Sequence, residues 1–305
     1  MTASEQPAVP ESVVVTGGNG RIGRLVVSDL RARGCRVTSL ARTHGSDARA
    51  DDISIDLTDA ARLADVVARS GATTMLHLAV QRGDDVEEAN ERIDLAAASA
   101  ASGLARVVLA SSGAVYGVDA TDARSEVSPL NGGSAYARSK QRSEQIFADL
   151  VERNRVASVL ALRIFNVAGP AFPDSLVQRL IRAEATTPVT LSEPDRFVRD
   201  YIHQDDLVDL VRASLTVASI GYRAVNLGAG IAVSTRALVE SIRPSQDGFV
   251  VVPGPASSNW ADVSVMHALL GVRPRAIPDR SWDRSVAGSA CAEGVPPIHA
   301  KGDRK

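Results

Sequence analysis

Tyr136 and Lys140 stand four residues apart in a stretch of helical periodicity, so both side chains project from one helix face. A tyrosine ordinarily ionises near pH 10, and making it a useful acid or base near neutrality asks for roughly 4 kcal/mol of differential stabilisation. A neighbouring ammonium is the natural source, helped by any cationic ring held alongside. Ser112, at the end of an apolar run, can donate a hydrogen bond to an oxygen on which charge develops. The three together suit proton transfer at a hydroxyl or keto oxygen. Outside the C-terminal Lys301 and Lys305, Lys140 is the only lysine of the chain, which otherwise uses arginine. An arginine fork cannot imitate a compact ammonium that also reaches a ribose hydroxyl. Taken alone, the tyrosine and lysine would equally make a surface pair on an exposed turn.

The stretch Val13-Val14-Val15-Thr16-Gly17-Gly18-Asn19-Gly20-Arg21-Ile22-Gly23 must position whatever these groups act with. A β-branched run leads through glycines into an amphipathic stretch carrying Leu25, Val26 and Leu30. This reads as a dinucleotide cradle: Gly17 permits a tight turn, Gly20 lets backbone approach a pyrophosphate, and Gly23 lets helix and strand pack closely. The helix start at Arg21 and Ile22 offers free N–H groups and a positive dipole end to phosphate. The spacing is G-x-x-G-x-x-G instead of G-x-G-x-x-G. An ordinary glycine-rich loop would share it, so the remainder of the chain decides.

Strands are predicted over 35–40, 53–55, 74–80, 106–112 and 158–165, with helices between them, including 84–102 and 134 to about 153. This alternation gives an α/β, Rossmann-type doubly wound parallel sheet with ligands at the carboxyl ends of its strands. Residues 12–165 are expected to form the NAD(P)-binding domain. Residues 166–287, punctuated by prolines, are expected to form a smaller, interleaved substrate lobe, with a strand near 223–227 returning to the main sheet. Residues 1–11 and 288–305 read as disordered tails.

With 305 residues, 45% hydrophobic and 23% charged at a net charge of −2, the chain has an ordinary globular composition. Near-neutral charge leaves no electrostatic footprint for nucleic acid or an anionic membrane. Cys35 and Cys291 lie far apart, which implies no disulfide framework and fits a reducing compartment. The N-terminus lacks a secretory pattern and no apolar run approaches the ~20 residues of a membrane span, so cytoplasm is the expectation. His44, His77, His203, His267 and His299 have no metal-ligand spacing, so no metal is expected.

The ordered motifs Thr16-Gly17-x-x-Gly20-x-x-Gly23, Asp56-Leu57, His77-Leu78-Ala79, Ser111-Ser112-Gly113-Ala114-Val115-Tyr116-Gly117, Tyr136-x-x-x-Lys140, Arg163-x-Phe165-Asn166-Val167-x-Gly169-Pro170 and Arg199-Asp200-Tyr201-Ile202-His203-x-Asp205-Asp206 cover about residues 13–275. In this order they resemble the extended short-chain dehydrogenases/reductases that act on nucleotide sugars. The resemblance implies that Ser112, Tyr136 and Lys140 are catalytic, with Tyr136 moving a proton while hydride passes at the adjoining carbon. It implies cofactor contacts from the glycine loop, Arg21, Ile22, Asp56, Leu57, Leu78, Ala79, Tyr136, Lys140 and Phe165. Substrate contacts are implied at Ala114, Asn166 and Arg199, the last two at the nucleotide diphosphate. Their plainer alternatives are a loop amide satisfying backbone groups and a surface salt bridge between Arg199 and Asp200. Relatives commonly dimerise through the helices starting near Asp84 and Ser134, so a homodimer is expected.

Three departures shape the functional expectation. Where NAD-using relatives place an acid after the second strand, this chain has Leu40-Ala41-Arg42, which favours a 2′-phosphate and hence NADP; the plainer alternative is that Arg42 only stacks over the adenine ring. The acid pair that sugar dehydratases carry after their serine is missing, which disfavours elimination. Val252-Pro253-Gly254-Pro255 stands where relatives clasp the nucleotide with an arginine and an aspartate. The expectation is an NADP(H)-dependent 4-ketoreductase of a nucleotide-activated keto sugar. The alternative within the family is an NAD-dependent nucleotide-sugar 4-epimerase. The alternative of another class is a non-enzymatic NAD(P) sensor, although such proteins usually lack the tyrosine or the lysine.

Overall fold

The computed structural model describes residues 9–83, 85–243, 248–276, 278 and 282. Of the expected tails 1–11 and 288–305, residues 1–8 and 288–305, with Cys291, lie outside the described residues. The first half runs β1 (Ser12–Thr16), α1 (Arg21–Ala32), β2 (Arg36–Ala41), β3 (Asp52–Ser54), α2 (Ala60–Ser70), β4 (Thr74–His77), α3 (Val86–Ala101), β5 (Arg106–Ser112), α4 (Ala135–Glu152) and β6 (Ser158–Ile164). There follow β7 (Asn166–Ala168), α5 (Leu176–Arg182), β8 (Val189–Ser192), β9 (Phe197–Arg199), β10 (Tyr201–His203), α6 (Gln204–Thr216) and β11 (Gly221–Leu227). The last elements are β12 (Val233–Ser234), α7 (Thr235–Ile242), β13 (Phe249–Val252), β14 (Ser257–Asn259) and α8 (Ser264–Leu270).

Every residue of β1 is buried, as expected of a strand covered on both faces. Val13 and Val15 enter one apolar core with α1, α6 and Met266 of α8, while Val14 enters the other with α2, α3 and α4. Seven parallel strands in the order β11-β6-β5-β4-β1-β2-β3 thus carry helices on both faces, a Rossmann-like doubly wound sheet. Fully burying a side chain such as Leu30 or Leu63 contributes about 1.5–3 kcal/mol. Helix boundaries follow local chemistry: Asp59 caps α2 by accepting from Arg62 N–H at 3.0 Å, and Ser134 caps α4 by accepting from Ala137 N–H at 3.1 Å. The helix α2 ends at Gly71, whose φ of +64° is left-handed.

β11 pairs in parallel with β6 and forms the sheet edge. The remaining short strands make three small sheets, β10-β7, β12-β9-β14 and β13-β8, around a core that includes Val177, Leu180, Tyr201, Leu238 and Ile242. The ends of β4, β5 and β6 border a cavity shared with this lobe. No helix among the described residues is long and apolar enough to cross a membrane.

Candidate active site

The glycine loop is shaped by close backbone approach. Gly17 has φ of +72°, and a Cβ there would meet Ala79 N at 2.7 Å. A Cβ on Gly23 would sit 2.2 Å from Gly17 O, so only glycine lets α1 pack this close beneath the turn. Gly20 is exposed and stands at the N-cap of α1 without a side-chain cap, leaving the first-turn N–H groups available. Beside the loop lies a cavity of about 510 Å³ lined by Gly17, Gly20, Ala41, Arg42, Asp56, Leu57, Leu78 and Ala79, among others. Thr58, through its backbone N–H and hydroxyl, holds the Asp56 carboxyl below its ordinary range, helped by Arg42 and Arg92. The Arg42 guanidinium is exposed and makes no hydrogen bond or ion pair among the described residues. The cradle, the open helix end and the cavity suit a dinucleotide.

A second cavity, about 620 Å³, contains the catalytic candidates Ser112, Tyr136 and Lys140, together with Arg21, Ile22, Phe165, Asn166 and Arg199. Leu78 and Val80 line both cavities, so the two adjoin at the end of β4. Lys140 is buried and donates to Ala110 O at 2.9 Å, which ties α4 to the end of β5. Ser112 Oγ accepts Ala114 N–H at 3.2 Å and so caps the turn Gly113–Tyr116. Ala114, expected at the substrate, instead turns its N–H back to Ser112 and is not on the cavity wall. Gly23 is likewise off both walls and acts from beneath the loop.

Two buried networks hold these pieces, and neither was foreseen. One turn beyond Lys140, Glu144 accepts from Ser111 Oγ at 2.5 Å, Arg163 Nε at 2.9 Å and Nη2 at 2.7 Å, and Tyr222 OH at 2.9 Å. Arg163 Nη1 also donates to Tyr116 OH at 2.8 Å, which donates to Asn226 Oδ1 at 2.7 Å. Burial pushes the Tyr116 hydroxyl up to about 12, keeping it a neutral donor. Under the glycine loop, His77 bridges Thr16 Oγ1 at 2.7 Å and Asp94 Oδ1 at 2.9 Å, and Ser143 donates to Asp94. Asn90 of α3 accepts Gln81 N–H at 2.7 Å and donates to Gln81 O at 3.0 Å and Val86 O at 2.7 Å, fixing the loop that follows Val80.

At the far end, Arg199 lies 3.9 Å over the Phe197 ring. Its Nη1 donates to Val198 O at 2.8 Å and Ser257 O at 3.0 Å, and its Nη2 to Ser257 Oγ at 2.6 Å. Burial pulls its pKa below the ordinary guanidinium range. Asp200 does not pair with it. That fully buried carboxylate accepts Ala229 N–H at 2.7 Å, Gly230 N–H at 2.9 Å and Ala261 N–H at 3.2 Å. Burial outweighs these bonds and pushes the Asp200 carboxyl up to about 6. The Asn166 amide donates to Asp200 O at 2.8 Å, joining β7 to β10.

Residues 13–228 match the family described as the NAD dependent epimerase/dehydratase family. The chain belongs to this family. The chain is similar to the UDP-glucose 4-epimerase of Erwinia amylovora, 27% identical over 306 residues covering 83% of this chain and 90% of the relative. The dTDP-6-deoxy-L-talose 4-dehydrogenase (NAD(P)(+)) of Kitasatospora kifunensis is 29% identical over 295 residues, covering 87% and 92%. The solved structure of MoeE5 with UDP-glucuronic acid and NAD superposes with a TM-score of 0.74 at 29% identity, covering 87% of this chain and 94% of that one. The epimerase/dehydratase family membership and the Rossmann-like fold therefore agree with the order of motifs.

Proposed function

We propose that the chain is an NAD-dependent 4-epimerase of a nucleotide sugar, carried by the convergence of Ser112, Tyr136 and Lys140 on one cavity that Arg199 and Phe197 line at a distance along the chain. The named epimerase relative supports 4-epimerisation over the 4-ketoreduction expected from sequence. Tyr136 accepts the proton of the sugar 4-hydroxyl, and Ser112 donates a hydrogen bond to the same oxygen as it becomes a ketone. A nicotinamide dinucleotide, when bound, supplies the group that takes the C4 hydride and gives it back. Tyr136 then returns the proton to the 4-oxygen after the keto sugar has turned its other face. Lys140 keeps a positive charge beside Tyr136 and the cofactor ribose. Asp56 and Leu57 contact the adenine, and Arg199 with Asn166 holds the diphosphate.

One observation favours a second reading, 4-ketoreduction with NADPH: the β2 end offers buried Ala41 and the free guanidinium of Arg42, with no acid for the ribose hydroxyls. The experiment is to denature the purified protein, identify any released cofactor, and assay UDP-sugars and 4-keto-6-deoxy sugar nucleotides. Bound NAD with interconversion of 4-epimers and no net redox change supports the epimerase. Stoichiometric NADPH consumption by a cofactor-free protein would sink it and establish the reductase. A homodimer through α3 and α4 belongs to the same proposal; it would cover exposed Leu95 and the Glu87–Arg138 and Glu91–Arg142 pairs, and light scattering measures it.

A further inference from the structure

Among the described residues, five cationic side chains line the cavity that holds Ser112 and Tyr136, namely Arg21, Arg82, Lys140, Arg179 and Arg199, against one carboxylate, Asp174. Most of that charge is committed. Arg21 pairs with Asp174, which neutralises the carboxylate and ties the segment before α5 to the first turn of α1. Lys140 donates to Ala110 O, and Arg199 is locked by Val198, Ser257 and the Phe197 ring. The guanidinium groups of Arg82 and Arg179 make no hydrogen bond or ion pair among the described residues. Arg82 leaves the loop after β4, on the cofactor side, where Leu78 and Val80 border both cavities. Arg179 stands in the same lobe as Arg199.

The helical period explains why Arg179 faces the cavity. Ser175, Leu176 and Arg179 all line it from one face of α5, whereas Arg182, almost a turn farther along that helix, is not on the wall and donates to Gln178. Arg199 already uses three of its five N–H groups on the protein, which leaves two for a ligand. A diphosphate carries two negative charges and more acceptor oxygens than two donors satisfy. We infer that Arg179 is the second guanidinium that holds the substrate's diphosphate, acting with Arg199; this rests on the nucleotide-sugar reading above. Arg179 is then a binding residue that selects diphosphate over monophosphate nucleotides.

Calorimetric titration of the full chain with NAD present tests this, using UDP, dTDP and the matching monophosphates as probes. Arg179→Ala weakens the bound diphosphate by roughly ten- to a hundredfold, the usual effect of losing a charge-assisted pair. It changes the monophosphate less than about threefold, while Arg182→Ala changes neither, and both variants keep the wild-type melting temperature. Wild-type diphosphate affinity in Arg179→Ala overturns the assignment, as does an equal loss for mono- and diphosphate. A wild type that binds neither diphosphate overturns the nucleotide-sugar reading and this assignment with it.

Discussion

Asp200→Asn separates the electrostatics of the substrate lobe from its hydrogen bonding. The carboxylate takes Ala229 N–H on Oδ1 and Gly230 and Ala261 N–H on Oδ2. In its best orientation the amide keeps its oxygen at the Oδ2 position and turns a nitrogen, which cannot accept, toward Ala229 N–H. Orphaning that donor costs about 1–3 kcal/mol. The carboxyl is raised from 3.8 to about 6 in the fold, so between those pH values the native chain binds a proton that the unfolded chain has released. The group's contribution is therefore complete below its unfolded pKa and is lost as pH rises through about 6. Between pH 5 and pH 7.5 the wild type should lose between about 1 and 2 kcal/mol through this group, and the variant none. Urea unfolding of both proteins at the two pH values should show the deficit of the variant shrinking by that amount at the higher pH. A deficit that is constant, or that grows with pH, refutes the account of Asp200.

Tyr136→Phe should lower turnover by about 10²–10⁴ with cofactor affinity retained, as read by steady-state rates and fluorescence titration. Near-native turnover would mean that another group moves the proton. Arg42→Ala should weaken NADPH roughly ten- to a hundredfold and leave NADH nearly unchanged; equal small effects on both would place Arg42 outside the phosphate's reach. Gly23→Ala puts a methyl 2.2 Å from Gly17 O, which backbone cannot easily yield. Overpacking of this kind costs about 1–3 kcal/mol, so a lower melting temperature together with weakened cofactor binding is expected in calorimetry.

Much of this architecture is legible because its signals are local. The strand over 106–112 coincides with β5, and the predicted cap at Ser134 is the cap of α4, since a continuous apolar run and a hydroxyl before a helix depend on near neighbours. β4 ends at His77, short of the predicted Val80, because Leu78 to Val80 leave the sheet to border the cavities, and apolar character alone cannot distinguish the two uses. The small sheets of the lobe rest on pairings of two to four residues, such as Val233 with Arg199, which carry no periodicity. Glu144 could have been found: with Tyr136 and Lys140 it continues one helical face, and a carboxylate there asks for a buried partner. Asn90 offered only a weaker sign, a polar side chain sharing the buried face of α3 with Val86, Asp94 and a series of alanines.

The chain passes from the main sheet into the lobe after Phe165, returns at Gln204, leaves again after Leu227 and returns at Ser264. Truncation after Phe165 would strip β11 from the edge of β6 and remove Leu207, Leu210, Val211 and Leu215 from one apolar core, so the first half is no self-sufficient unit. Grafting a relative's lobe to change its specificity would accordingly need four matched junctions. A chimera that exchanged only residues 166–203 would bring a foreign arginine at position 199 against the native Ser257, whose carbonyl and hydroxyl now hold that guanidinium. Recombination in this architecture must therefore carry both lobe segments together.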